Sequence, residues 1–299
     1  MTIIDEIIAK IVDWDGCSIS IQQISGGLTN TNYKVVVDGK PFFVRVPGEG
    51  TEQLAVDRRN EYYNTKAAAE AGAGPQVLFY LPEFQVMVLE FLEGDTMSKA
   101  TLNAAGMPTK IAHAIKRLHG GSRFLTDFNM FRLTEYYLEI CIQQGIRIPE
   151  GYPERMPTVR RIEQAVSVHP LPTVPCNNDL LAENYIYDGK SMRIIDYEYS
   201  GNNDPCFELG NTCQELQYDE TRIAEVCEAY FGSPSAGKIS RMKLNMIMSD
   251  VGWALWAAIQ AKISKIEYDF WGWAVERWGR AVEKMDSPEF PEWLQDVQT

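Results

Sequence analysis

The chain has 299 residues, of which 45% are hydrophobic and 23% charged, and its formal net charge is −13 at pH 7. This composition supplies enough apolar surface for a large core and is not that of a disordered protein. The acidic balance argues against a nucleic-acid partner, because phosphate neutralisation needs a basic face. A small cationic substrate would be attracted, although many proteins are acidic for solubility alone.

Targeting and metal signals are weak. The longest uninterrupted apolar run, 251–259, is about half of what a bilayer span requires. The N-terminus M-T-I-I-D-E-I-I-A-K lacks the basic start and cleavage site of a secretory signal. Six cysteines form no C-x-x-C pair, and three histidines have no zinc-binding spacing. We therefore expect a cytoplasmic protein with reduced thiols, no membrane span and no structural zinc.

The first ninety residues are dominated by short strand patterns. Strands are predicted at 18–24, 33–37, 41–46 and 86–91, with one helix over about 51–71. Asp38-Gly39 separates the second and third strands and is a two-residue hairpin signal, so these strands should be antiparallel neighbours. The pattern predicts a β-rich N-terminal lobe over 1–93.

After Glu93-Gly94 the pattern changes to helical periodicity, as in 111–119 and 241–263. Loops are predicted at 149–157 and 232–237. Only one strand pair interrupts this part, Y-I-Y and M-R-I-I, joined by D-G-K-S. The sequence therefore predicts an α+β, two-lobe protein whose helical second lobe covers 94–299.

The segment C-N-N-D-L-L-A-E-N-Y-I-Y-D-G-K-S-M-R-I-I-D places Asp179, Asn184 and Asp196 around this hairpin. A turn centred near Lys190 would put position 184 opposite 196, so that their side-chain oxygens converge on one ion. Magnesium prefers such hard oxygen ligands, completed by phosphates and water. Asp179 would face the same space and accept a hydroxyl proton. Singly, each residue is better explained by a solvated hairpin, but D-x-x-x-x-N followed by a strand and I-D is more specific.

This spacing resembles the phosphotransfer loop of the aminoglycoside phosphotransferase and choline kinase superfamily, whose fold is protein-kinase-like. The resemblance implies that Asp179 is the base and that Asn184 and Asp196 hold Mg²⁺. The family usually has His two residues before the base, whereas this chain has Asn177. We expect altered support of the loop rather than lost chemistry. Asn177 also keeps open a non-catalytic pseudokinase that binds nucleotide or choline as a regulatory module.

A second resemblance concerns the nucleotide. The stretch G-G-L-T-N-T-N-Y-K-V is similar to the nucleotide loop of the choline kinase family, although a Gly-Gly pair alone is usually only a turn and no G-K-[ST] follows. The resemblance implies ATP as phosphoryl donor. The positions implied to bind it are Gly26, Gly27, Thr29, Asn30, Arg45, its partner Glu61, and the connector residues Glu90 and Leu92. An arginine at position 45 can grip two phosphate oxygens where lysine offers a point charge.

Two further stretches resemble choline kinases in particular. They are Y-E-Y-S-G-N-N-D-P-C-F-E-L-G-N, with Glu208 where Asp is usual, and W-A-L-W-A-A-I-Q-A-K-I-S-K-I-E-Y-D-F-W-G-W-A. A quaternary ammonium has no N–H to donate, so aromatic faces and nearby negative charge recognise it. The implied substrate pocket contains Tyr199, Glu215, Tyr218, Trp253, Trp256 and Trp273. Without the resemblance, tryptophans at i and i+3 would ordinarily be core packing.

The sequence therefore predicts an ATP- and magnesium-dependent kinase for the hydroxyl of choline, at the start of phosphatidylcholine synthesis or of phosphocholine decoration. Ethanolamine is the nearest alternative substrate, followed by an aminoglycoside or another amino alcohol. A pocket dominated by tryptophan favours choline, because a primary ammonium needs hydrogen-bond acceptors. A homodimer is an open expectation.

Overall fold

The computed structural model describes residues 2–24, 27, 30–48 and 51–299, without the side chains of residues 51 and 52. Gly26 and Thr29, both predicted to contact nucleotide, lie outside the described residues. The N-terminal part is an antiparallel five-stranded sheet with the order β1-β2-β3-β5-β4. Its strands are β1 Ile19–Ile24, β2 Asn30–Val37, β3 Lys40–Pro47, β4 Val77–Leu81 and β5 Val86–Glu90.

The Asp38-Gly39 hairpin is confirmed. Val37 pairs with Lys40, and the two turn residues have φ of 48° and 84°. Both values are left-handed, as the favoured two-residue turn between strands requires. Strand β4 was missed, because its burial does not alternate and leaves no period-two signal in V-L-F-Y-L.

The single helix expected over 51–71 is divided. A short 3₁₀ helix, Thr51–Leu54, precedes α2, Arg58–Glu70. Asp57 separates them and caps α2 by accepting hydrogen bonds from two backbone N–H groups of its first turn. This cap fixes the start of the helix that carries Glu61.

The remainder of the chain is mainly helical. Short helix α1, Ile3–Ile8, precedes the sheet. The later helices are α3 Lys99–Leu102, α4 Met107–His119, α5 Met130–Gln143, α6 Tyr152–Val168, α7 Pro205–Leu216, α8 Glu220–Phe231, α9 Ala236–Ile263, α10 Phe270–Met285 and α11 Phe290–Asp296. Short strands lie among them: β6 Asp95–Thr96, β7 Val174–Cys176, β8 Tyr185–Tyr187, β9 Met192–Ile194 and β10 Gly201–Asn203. The predicted α+β, kinase-like fold class is confirmed.

Helix α9 is the centre of the helical part, since nearly all of its residues from 240 to 260 are buried. It packs against α7 at Gly210, where a Cβ would lie 2.5 Å from the carbonyl oxygen of Met242. Real Cβ atoms do not approach a neighbour within 3.0 Å, so glycine permits this contact. Across the described part of the chain, no helix is long and apolar enough to cross a bilayer. All six cysteines are free thiols.

The β8–β9 hairpin forms, but its predicted register is wrong by one residue. Tyr185 pairs with Ile194, and the carbonyl oxygen of Asn184 accepts a hydrogen bond from the N–H of Ile195 at 2.9 Å. Asp188 explains the difference, because its carboxylate accepts from the two backbone N–H groups of Lys190 and Ser191 and tightens the turn. Position 184 therefore lies opposite 195 rather than 196.

Candidate active site

A cavity of about 510 Å³ lies between the β8–β9 hairpin and helices α7, α9 and α10. The predicted site residues that line it are Gly27, Asp179, Asn184, Asp196, Glu215, Trp253, Trp256 and Trp273. These residues come from segments more than two hundred positions apart. The structure thus brings most of the predicted phosphotransfer and substrate residues to one space.

Asp179 lies in the loop between β7 and β8, partly accessible from the cavity. Its backbone carbonyl accepts a hydrogen bond from the side-chain amide of Asn184 at 2.7 Å. Burial, reinforced by the carboxylates of Asp196 and Glu215, raises the pKa of the Asp179 carboxyl well above its usual range. Once deprotonated, such a carboxylate is a stronger base than an ordinary one.

Asn177, which stands where the family usually has His, is fully buried and joins two parts of the site. Its Nδ2 donates to the carbonyl oxygens of Ile195 at 3.2 Å and Asp196 at 2.6 Å. Its Oδ1 accepts from the N–H of Asp179 at 3.1 Å. One amide therefore connects the loop of Asp179 to the backbone of Asp196.

Glu208 supports the same loop from behind. Its two carboxylate oxygens accept from the N–H groups of Asn177 at 2.9 Å and Asn178 at 2.6 Å. His119 lies 3.5 Å from this carboxylate and, with Cys176, completes a buried group of metal-ligating types. Because both Glu208 oxygens already accept backbone hydrogen bonds, the group is explained as support for the loop.

Arg45 forms the centre of a buried ionic cluster. Its guanidinium contacts Glu61 at 3.1 Å, the partner expected from the sequence, and Asp196 at 2.5 Å. Burial alone would lower the pKa of Arg45, but the carboxylates of Asp196, Glu61 and Glu198 together raise the pKa above its ordinary value. Arg45 therefore carries a permanent charge beside the hairpin.

The donor atoms at the hairpin fit a magnesium ion. Asn184 uses its Nδ2 for the Asp179 carbonyl, which orients the amide and leaves its Oδ1 as a ligand oxygen. Asp196 has φ of 64°, a left-handed conformation that turns its side chain away from the direction a regular strand would give. Glu198, two residues on, lines the same cavity and adds a third oxygen side chain, one oxygen of which pairs with Arg58 at 3.2 Å and accepts from the Asn30 amide at 3.0 Å. The sequence analysis missed Glu198, although Y-E-Y follows Asp196 directly.

Four rings, here called the aromatic wall, line the other end of the cavity: Trp253 and Trp256 from α9, Trp273 from α10 and Tyr268 from the preceding loop. Trp256 and Trp273 have centroids 5.8 Å apart and planes at 88°. Tyr268 meets Trp273 at 5.9 Å and 83°. Perpendicular rings form a corner that presents more than one face to a ligand. Tyr268 was not predicted.

Tyr199 and Tyr218 do not line the cavity. Tyr199 lies behind the wall, where its hydroxyl accepts from the indole N–H of Trp256 at 2.6 Å. Tyr218 instead donates to the carbonyl of Leu102 at 2.6 Å. Gln217, with φ of 52°, ends α7 and turns the chain away from the cavity, which explains why Tyr218 is not part of it.

Glu215 lines the cavity, but its carboxylate is already paired. Arg277 donates to it at 2.6 Å and also stacks on Trp273, with the guanidinium carbon 4.3 Å from the ring centroid. Arg277 is only 1% exposed. The stacking of Arg277 on Trp273 could have been predicted from the sequence, since Arg277 follows Trp273 by four residues on one helix face.

Glu90 and Leu92 lie elsewhere. They line a second cavity of about 580 Å³ at the connector between sheet and helices, together with Phe91 and Ile186. The Glu90 carboxylate accepts from the N–H of Gln76 at 3.1 Å. The structure does not bring these two residues to the cavity of Asp179, and their predicted contact with adenine stays a prediction.

This fold and this site are those of a phosphotransferase that acts on a small molecule. The family model described as choline/ethanolamine kinase matches residues 21–230. The chain belongs to the choline/ethanolamine kinase family.

Relatives with both substrate names are similar to the chain. Ethanolamine kinase 1 of Mus musculus is 26% identical, over 89% of this chain and 84% of that protein. The crystal structure of a choline/ethanolamine kinase family protein from Mesorhizobium loti has a TM-score of 0.87 and 31% identity, covering 99% of both chains. The choline kinase LicA from Streptococcus pneumoniae has a TM-score of 0.80 and 25% identity, covering 95% of this chain and 99% of that one.

Proposed function

We propose that the chain transfers the γ-phosphoryl group of ATP to the hydroxyl of choline in a magnesium-dependent reaction. The supporting observation is that the aromatic wall and Asp179 line one cavity. Aromatic faces bind a trimethylammonium group, each desolvated ring contributing up to about 2 kcal/mol. A choline held there by its cation has its hydroxyl two carbons away, toward the Asp179 end.

The residues around the hydroxyl have separate tasks. Asp179 accepts the hydroxyl proton as the oxygen attacks phosphorus. Asn184, Asp196 and Glu198 would hold Mg²⁺, which would neutralise the negative charge that develops on the phosphates. Asn177 keeps the base and Asp196 at a fixed separation through its three hydrogen bonds.

We assign the nucleotide phosphates to the side of the cavity bordered by Gly27, which has φ of 99°. Arg45 lies on β3 beside this region and is oriented by Glu61. Its planar guanidinium offers two parallel donors to phosphate oxygens. Because Arg45 now contacts Asp196, the same side chain can reach the phosphates that approach the metal ligands.

Ethanolamine is the second candidate, favoured by the name of the mouse relative. Its primary ammonium would lose hydrogen bonds to water and would need acceptors in the pocket. The observation against it is that Glu215, the carboxylate at the aromatic wall, is paired with Arg277. Four aromatic rings beside a carboxylate that is already paired suit choline better.

An ADP-release assay tests the proposal. The protein is supplied with ATP and Mg²⁺ and with choline, ethanolamine, thiamine or kanamycin, beside Asp179→Ala as the inactive control. We expect turnover that depends on Mg²⁺ and is fastest with choline. Nucleotide binding without turnover of any acceptor would support the pseudokinase alternative, and a preference for ethanolamine would contradict the assignment of choline.

A further inference from the structure

Beside the aromatic wall lies a set of ions, here called the ionic wall: the buried Glu215, Asp250 and Arg277, and the half-buried Arg280. Arg277 contacts Glu215 at 2.6 Å and Asp250 at 3.3 Å. Arg280 contacts Asp250 at 2.5 Å and also donates to its second oxygen at 3.0 Å. The side chains of Asp250, Arg277 and Glu215 are 0%, 1% and 9% exposed.

The charges of the ionic wall cancel. It contains two carboxylates and two guanidinium groups, and every one of them contacts a group of opposite charge within the wall. Glu276, at the rim, pairs with Arg280 at 3.3 Å, but its side chain is 59% exposed and remains hydrated. The buried surface beside the aromatic wall is therefore close to neutral.

Arg277 has a second effect, because it also contacts the aromatic wall. Its guanidinium covers one face of Trp273 at 4.3 Å, the distance of a cation–π contact. The indoles of Trp253 and Trp256 and the ring of Tyr268 border the same cavity without this cation on them. The protein's own cation thus occupies both the carboxylate of Glu215 and one face of Trp273.

We propose that Arg277 is a specificity-determining residue: by pairing with Glu215 it withholds a buried carboxylate and so selects a quaternary over a primary ammonium substrate. A primary ammonium entering the pocket gives up hydrogen bonds to water and meets no unpaired buried acceptor in the ionic wall. A trimethylammonium group has no such bonds to lose and uses ring faces. This inference rests on the proposed function.

The test is the ratio of kcat/KM for choline to kcat/KM for ethanolamine in Arg277→Gln. Freeing the Glu215 carboxylate should lower this ratio by about tenfold, since a charged hydrogen bond to a primary ammonium becomes available. The double variant Glu215→Gln/Arg277→Gln removes the freed charge and should return the ratio to within about threefold of the wild-type value. Arg155→Gln, which breaks an exposed ion pair with Asp286, is the matched control and should change kcat/KM for neither substrate.

The ratio is measured for both substrates on one preparation, so it does not depend on the fraction of protein that is folded. If Arg277→Gln cannot be recovered, Arg277→Lys replaces it, because an ammonium cannot span Glu215 and Trp273 together, and the ratio should fall by a smaller factor. Inhibition by tetramethylammonium and by methylammonium gives a readout without turnover, and Arg277→Gln should shift inhibition toward methylammonium.

The outcomes separate the two proposals. If the wild-type protein turns over neither choline nor ethanolamine, the proposed function fails. If it prefers choline and Arg277→Gln leaves the ratio within twofold of the wild-type value, the proposed function stands and the role of Arg277 is overturned. A fall that the double variant does not reverse also overturns it, because the freed Glu215 would not be the cause.

Discussion

The loop of Asp179 and the aromatic wall border one cavity but are organised by different forces. Around Asp179 a few polar side chains hold the backbone through directional hydrogen bonds, three of them from Asn177 alone. The aromatic wall is instead made of large rings on two packed helices, α9 and α10. Losing one donor or acceptor atom removes a hydrogen bond completely, whereas the packing energy of the rings is distributed over many contacts.

The difference implies that the two regions affect different kinetic constants. Changes in the loop should act on kcat, because they disturb the geometry of proton and phosphoryl transfer. Changes in the wall should act mainly on KM for the amino alcohol and leave KM for ATP alone. Each prediction below tests this division of effects between kcat and KM.

The largest effect is expected for Asp179→Asn. The amide fits the same space but cannot accept the hydroxyl proton, so kcat should fall by about 10²- to 10⁴-fold. KM for choline should change by no more than about threefold, since the cation is held elsewhere. The measurement is steady-state ADP release, with Asp286→Asn as an exposed control. A kcat within tenfold of the wild-type value would mean that another group is the base.

Asn177→Ala should have the next largest effect. It removes the link between the Asp179 N–H and the carbonyls of Ile195 and Asp196, and kcat should fall by about 10- to 100-fold, as for other supporting residues of metal sites. Asn177→His, the residue usual in the family, should retain more activity because its ring N–H can still donate to one carbonyl. Equal losses in both variants would show that volume rather than hydrogen bonding matters here.

A smaller effect is expected behind the aromatic wall. Tyr199→Phe deletes the acceptor of the Trp256 indole N–H but keeps the ring beside Trp253. The loss of one hydrogen bond, about 1 kcal/mol, should raise KM for choline about fivefold. Kinetics at saturating choline provide the check, since kcat should stay near the wild-type value. A large fall in kcat instead would break the proposed division.

The smallest effect concerns pH and stability. The pKa of Asp179 is raised in the folded protein, so its stability contribution is present below the ordinary carboxyl pKa and is lost as pH rises through the raised value. Asp179→Asn should therefore melt a few degrees higher than the wild-type protein at pH 8, and the difference should narrow toward pH 5. In the wild-type enzyme kcat should rise with pH as the Asp179 carboxyl loses its proton. Thermal melts and kcat profiles across this range provide the measurements.

Much of the region around Asp179 could be predicted because the residues that form it lie close together in the sequence. Asp179, Asn184 and Asp196 lie within eighteen positions of one another, and the hairpin between them has ordinary strand and turn signals. The register was wrong because the Asp188 side chain decides the turn, and strands of three residues are too short for their pattern to fix the register.

The aromatic wall was predictable only in part. Trp253, Trp256 and Trp273, which the resemblance implied, line the cavity, and their spacing on α9 and α10 is enough to present them there. The resemblance did not reveal the pairing of Glu215 with Arg277, which joins α7 to α10 and depends on how both helices pack against α9. Tyr218 does not line the cavity for the related reason that one left-handed residue, Gln217, redirects the chain.

The close packing of α7 against α9 at Gly210 also shapes the cavity. A Cβ there would collide with the Met242 carbonyl, so α7 and α9 are as close as two backbones can be made. The same two helices carry Glu215 and Trp253, which both line the cavity. One added methyl group at Gly210 would push α7 and α9 apart and so widen the cavity without contacting it. The choice among amino alcohols can therefore drift in evolution without any change in a residue that the substrate touches.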